Sequence, residues 1–268
     1  MRNRHVSSIA AAAAVLGFLS LALAQTAQQS PGAKAQKAGV APQHDLSGVW
    51  SYTVGVPKGQ GIYATLSKDV PPRTAWGETQ YQTNKPGYGP KATDAADNTD
   101  PILQCDPTGL PRVLLYFHPV EIIQIPGRVL QFFEHDHLWR EIWTDGRPLP
   151  KDPDPAWYGY SVGKWERDGT FVVDTIGFND KTWADFYGNP HTEDMHLTER
   201  YQRVDHDTLN LTITLDDPKA YTKPWVSDTK IWKLEPAAVN VEEAFCVPSE
   251  EDAFTKQIRK PGANITNK

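Results

Sequence analysis

Beyond residue 112 the chain is written in short apolar runs broken by turn residues. In Leu209-Asn-Leu-Thr-Ile-Thr-Leu215 every second residue is aliphatic, the period of a strand with one buried face. Residues 113–117, 120–125, 128–133, 138–143, 158–165, 171–176, 196–204, 208–215 and 225–234 are similar β-rich runs. Pro119, Pro126-Gly127, Arg167-Asp168-Gly169 and Asp205-His206-Asp207 punctuate them, as turn residues do. A first strand opens around Trp50. The pattern predicts an all-β fold, an antiparallel meander of about eight to ten strands. A meander this long hides its edges best by closing into a barrel.

Outside the strands the pattern changes. Residues 1–24 carry Arg2, Arg4 and His5, an Ala-rich apolar stretch, then Ala22-Leu23-Ala24. Their charge, length and small residues at the cut predict a signal peptide. The apolar stretch is short for a membrane span, and no later one is longer, so no stable membrane insertion is expected after cleavage. Residues 25–44 have no apolar period and read as a disordered leader. Residues 45–268 read as one barrel domain. Within it, 55–112 is a long irregular covering loop, with a helix near 75–82 behind Thr74 as N-cap. Residues 249–260 form a C-terminal helix, acidic first and basic last.

Composition then narrows the classes. Hydrophobic residues at 39% and aromatics at 10% exclude a disordered chain. The net charge of −6 falls to −8 when the two arginines of residues 1–24 are removed. A nucleic-acid partner, which needs a basic face, is not expected. There is no Gly-rich phosphate loop, Gly-x-Ser-x-Gly elbow or His-Glu-x-x-His pair, so those enzyme classes lose weight. The expected export, to the periplasm or outside the cell, gives the two cysteines meaning. Cys105 and Cys246 are the only pair, and in an oxidising compartment a disulfide is their simplest state.

Two resemblances rest on particular residues. Gly48-Val49-Trp50, on the first strand, resembles the opening of lipocalin and wider calycin barrels, where such a Trp plugs one end. More distinctive are residues 144–166, which include Thr144-Asp-Gly-Arg-Pro-Leu-Pro150 and Gly159-Tyr-Ser-Val-Gly-Lys-Trp165. With them go Gly177-Phe-Asn-Asp-Lys-Thr-Trp183, Pro190-His-Thr-Glu193, Thr198-Glu-Arg200 and Asp217-Pro-Lys-Ala-Tyr-Thr-Lys-Pro-Trp225. Together these blocks resemble a family of secreted bacterial proteins with no established activity. The likeness covers about residues 45–258 and implies fold and export, not chemistry.

Three constellations could carry chemistry. His135-x-His137-x-x-x-Glu141 resembles the first metal motif of the cupins. In a strand the three would share a face and hold a divalent metal, the one candidate cofactor. Residues 180–199 bring together His191, Glu193 and Asp185 with further acids. His191 and Glu193, two apart, would serve acid–base work if that segment is extended. Arg140 and Arg147, beside Asp145, could hold an anionic group, although an internal salt bridge to a nearby acid is the more ordinary fate of such an Arg. The aromatics Phe133, Trp139, Trp143, Tyr160 and Trp183 are candidates to line a barrel cavity.

The leading expectation is an exported barrel binding a small, partly apolar organic molecule in its interior. The alternatives are an acid–base lyase, isomerase or hydrolase using His191 and Glu193 with Arg140 and Arg147, and a cupin-like metal enzyme. Oligomeric state is not legible in the sequence.

Overall fold

The computed structural model describes residues 44–52, 64–135, 137–237 and 239–260. The expected signal peptide, nearly all of the leader and part of the covering loop lie outside the described residues. Ten strands run in chain order: β1 (Gly48–Tyr52), β2 (Val120–Ile125), β3 (Arg128–Phe133), β4 (Leu138–Trp143), β5 (Tyr160–Trp165), β6 (Phe171–Ile176), β7 (His196–Asp205), β8 (Thr208–Asp216), β9 (Trp225–Val226) and β10 (Lys230–Leu234). Each strand from β1 to β8 pairs with the next, and β10 pairs with both β8 and β1. The ring is therefore closed by nine strands, with β9 lying beside the far half of β8. This is an all-β, calycin-like barrel.

One seam departs from the expected antiparallel meander: β4 and β5 run parallel, with Ile142 opposite Ser161. A closed ring of an odd number of strands cannot alternate direction all the way round. The Pro-rich stretch between Trp143 and Tyr160 carries the chain back along the barrel, as a parallel neighbour requires. A second departure is residues 113–117. Residues 113–115 lie in a buried 3₁₀ turn, Arg112–Leu115, with half-buried Tyr116 and exposed Phe117 following it, and none is in a strand. A short continuous apolar run does not distinguish the two by period alone.

Strand alternation fills the interior. Trp50, Val129, Phe133, Ile142, Phe171, Tyr201, Leu211, Ile213 and Trp232 are all buried in one core. Gly163 on β5 has no side chain because Phe171 occupies that space; a Cβ there would sit 2.4 Å from the Phe171 ring.

Both barrel ends are closed. At one, the Trp50 indole donates to Leu46 O (2.8 Å) and lies 5.0 Å from the Arg203 guanidinium. At the other, the buried segment 64–67 is tied to the barrel. Lys230 Nζ donates to Thr65 O (2.9 Å), Trp225 Nε1 to Ser67 Oγ (2.9 Å) and Asp228 N to Leu66 O (3.0 Å). Burial lowers the Lys230 pKa to about 8.

The long connections gather at this second end. They include α1 (Ala75–Thr83) and the turn Pro101–Gln104. The C-terminal helix α2 (Pro248–Phe254), continued by the wider turn Thr255–Arg259, packs near Pro101–Gln104. A Cys105–Cys246 disulfide, spanning 141 residues, joins the covering loop to the C-terminal segment. In the chain-entropy model such a closure stabilises by about 5 kcal/mol. Among the described residues no helix is long and apolar enough to cross a membrane.

Candidate functional site at the barrel rim

The loop between β6 and β7 rises over the closed end and is held by two buried carboxylates. Asp185 accepts from Thr65 Oγ1 (2.6 Å), Asn189 Nδ2 (2.7 Å) and the backbone amides of Tyr187 (2.9 Å) and Asn189 (3.1 Å). Burial pushes its pKa up against the pull of those bonds. Asp217 accepts from Thr192 N (2.6 Å), Thr192 Oγ1 (3.0 Å) and Ala220 N (3.1 Å). Each carboxylate thus fixes a stretch of loop backbone, a positioning role.

α1 is laid against this frame. Thr74 caps it by accepting from Gly77 N (3.1 Å), as the sequence predicts, and Thr74 Oγ1 donates to Lys219 O (2.5 Å). Gly77 is the helix's one buried residue. A Cβ there would lie 2.2 Å from Ala220 O, so only glycine permits this approach. Asn84 Nδ2 donates to Gly188 O (2.9 Å), and Arg73 Nη2 to Asn189 Oδ1 (2.5 Å).

Between α1 and the loop lies a cleft of about 390 Å³, lined by Trp76, Gln80, Thr83, Asn84, Thr99, Pro101, residues 180–183, Pro190 and His191. Its size is within the ordinary range for small-molecule sites, about 300–1,000 Å³. A second cleft of about 580 Å³ adjoins it across Trp76 and Asp180, bounded by Thr74, Ala75, Thr192, Glu193, Asp194 and Lys219.

His191 is the chemically distinctive residue of the first cleft. It is 3% exposed. Its Nδ1 lies 3.3 Å from Thr192 O. A carbonyl only accepts, so Nδ1 carries the proton and Nε2 is left as an acceptor. Nε2 is buried without a hydrogen-bond partner. Burial lowers the imidazole pKa, opposed by the Thr192 bond and the charges of Asp217 and Asp180. At neutral pH His191 is an uncharged base at the edge of an open cleft.

The expected partner of His191 is elsewhere. Met195 N donates to Thr192 O (3.2 Å), closing a turn, so the segment is not extended. Glu193 is exposed and borders the second cleft. The carboxylate that shares the first cleft with His191 is Asp180.

The arginines do not converge on this site. Arg140 points into the barrel and pairs with Glu199 (3.0 Å), whose other oxygen accepts from Tyr201 Oη (2.6 Å). Arg147 lies over the Trp143 ring at 3.6 Å and donates to Asp145 (2.9 Å) and to Tyr160 Oη (3.4 Å). Arg147 is thus committed to its neighbour. Glu141 pairs with Arg128 (2.6 Å).

His135 and His137 occupy the turn between β3 and β4, not a strand. His137 has φ 50° and packs against Phe245, while His135 stacks beside His118. The shared strand face needed for the cupin-like set is therefore absent. Among the described residues no group of three His, Cys, Asp or Glu side chains is placed to hold a metal ion.

The five aromatics also separate. Trp139 is 52% exposed, stacked on Phe132, and Trp143 and Tyr160 are with Arg147. Phe133 is core, stacked on Tyr158. Of the five, Trp183 is the one that borders either of these two clefts. Two residues that the sequence did not single out are prominent here. One is Trp76, which borders both clefts; the other is His118, whose Nδ1 is 2.7 Å from Glu134.

No family model, curated protein or solved structure matches this chain.

Proposed function

We propose that the chain is an exported barrel that binds a small organic molecule in the rim cleft beneath α1, and not in its interior. One observation carries the reading. His191 lines a cleft of ligand size, and its buried Nε2 has no hydrogen-bond partner. An unsatisfied buried polar atom calls for a partner, and an entering hydroxyl or amide would supply one. The interior is filled by Trp50, Phe133, Phe171 and Trp232 and closed at both ends, and none of the described cavities lies inside it. Export is supported by the N-terminal pattern and the disulfide, and fits the resemblance to secreted proteins.

The test is a thermal-shift panel of sugars, phenols, amines and carboxylates on the wild type and on His191→Phe. Ligands that raise the Tm of the wild type are expected to lose that effect in the variant. Ligands that stabilise both equally place the site elsewhere and end this reading.

A second reading, acid–base catalysis at the same cleft, is favoured by a neutral His191 and the Asp180 carboxylate lining one cleft. An unprotonated imidazole near neutral pH is the form a general base needs. Turnover of a bound ligand, lost in His191→Phe, would distinguish it from binding alone.

A further inference from the structure

With the rim cleft as the binding site proposed above, on which the ligand class depends, its shape and lining narrow that class. The two clefts share a wall made by Trp76 and Asp180. They form adjoining compartments, a shape that suits a ligand built of repeated units more than a compact one.

The lining of the first compartment is rich in neutral hydrogen-bonding groups. Thr83, Thr99 and Thr182 bring hydroxyl oxygens, and Gln80 and Asn84 bring amides; the Thr83 and Thr182 protons already go to Thr79 O (2.9 Å) and Thr108 O (3.0 Å), which leaves those oxygens as acceptors for a ligand's hydroxyls. Its ionised side chains are one acid, Asp180, and one base, Lys181. In the second compartment Asp180, Glu193 and Asp194 outnumber Lys219, which is paired to Asp194 at 2.8 Å. Across the two compartments Asp180, Glu193 and Asp194 outnumber Lys181 and Lys219, so the local field disfavours an anion. Carboxylates do accept hydrogen bonds from pairs of hydroxyls. His191 Nε2, an acceptor, asks for a donor on the ligand.

Trp76 supplies the apolar element. It stands on α1, 42% exposed, and one exposed Trp alone is ordinary. Its position is not ordinary, because it borders both compartments. Tyr81 on the same helix is already covered by Arg73, 3.5 Å above its ring. A free indole amid hydroxyls and amides matches a molecule with a flat C–H face and a rim of hydroxyls.

We infer that the occupant is a neutral oligosaccharide of two or more units, with one sugar ring stacked on Trp76 and a hydroxyl donated to His191 Nε2. The probes are cellotetraose, xylotetraose, maltotetraose and laminaritetraose, each beside its monosaccharide, with a cationic glucosamine dimer and vanillyl alcohol as contrasts. Binding to the signal-free, disulfide-bonded chain is read by calorimetry and by Trp fluorescence. At least one tetrasaccharide is expected to bind with Kd below about 1 mM, and its monosaccharide about tenfold more weakly. Trp76→Ala should weaken binding by about tenfold or more and Trp76→Phe by less than about threefold, with the Tm of each variant recorded so that loss of the ring is separated from loss of the fold.

If no tetrasaccharide binds, or the cationic dimer binds more tightly than all of them, the inference is overturned. If vanillyl alcohol alone binds and His191→Phe abolishes it, the cleft reading stands and the saccharide inference falls. Binding that ignores both Trp76→Ala and His191→Phe overturns both.

Discussion

His191 offers a test that needs no ligand. Its imidazole is buried and its pKa is lowered by that burial, whereas an unfolded histidine titrates near about 6.5. Below that pH the unfolded chain takes up a proton that the folded chain refuses, so stability falls as pH falls. The effect begins at the unfolded pKa and ends at the lower folded pKa, with a slope of at most about 1.4 kcal/mol per pH unit. His191→Gln should lose less stability than the wild type between pH 7.5 and pH 5, read as urea midpoints. An equal loss in both would mean that the imidazole is not held neutral. At this scale the sequence was half legible. It marked His191, but it paired the residue with Glu193 by spacing, and spacing assumes an extended chain. The Thr192–Met195 turn sends Glu193 outward, and that turn is anchored where Thr192 donates to Asp217, 25 residues away.

Among the elements, α1 depends on a glycine for its place, and two opposing magnitudes meet there. Gly77→Ala should favour the isolated helix by about 0.8–1 kcal/mol. The added Cβ would meet Ala220 O at 2.2 Å, and such overpacking costs about 1–3 kcal/mol. The contact wins because the carbonyl belongs to the loop anchored by Asp217 and cannot swing aside. The variant is expected to melt lower, and ligand binding in the rim cleft should weaken as α1 lifts. A higher Tm with unchanged binding would show that α1 is not wedged. Here the local code was readable: Thr74 as cap and 75–82 as helix agree with Ala75–Thr83. The packing of Gly77 on residue 220 was not, because nothing local signals a partner so far along the chain. The same limit explains Arg112–Leu115. Its apolar run shows burial, but its backbone form is set by what surrounds it.

For the whole molecule, the charges inside the barrel matter more than the rim. Strand alternation put Arg140 on the face of Ile142, and Glu199 between Leu197 and Tyr201. From its sequence neighbours Arg140 reads as a holder of an anionic group; only the closed ring, which brings β4 and β7 face to face, gives it Glu199 as a partner. Arg140, Glu199, Tyr201 and Gln131 form one connected buried set, a charged polar layer within the core. Arg140 Nε and Nη2 have no partner within it, so the layer is not fully satisfied and contributes little net stability. Deleting one member should still be severe: Glu199→Ala strands the guanidinium and is expected to cost about 3–5 kcal/mol. Replacing both, with Arg140→Met and Glu199→Leu, removes the uncompensated charge and should recover most of that loss, because apolar groups of similar volume often equal or exceed a buried ion pair. Denaturant unfolding of the wild type, both single variants and the double variant closes the cycle. If the double variant is as unstable as the sum of the singles, the pair is not acting as a unit. If it is as stable as the wild type but loses a single cooperative transition, the charges serve to specify strand register in a barrel whose one parallel seam gives the ring no simpler way to keep count.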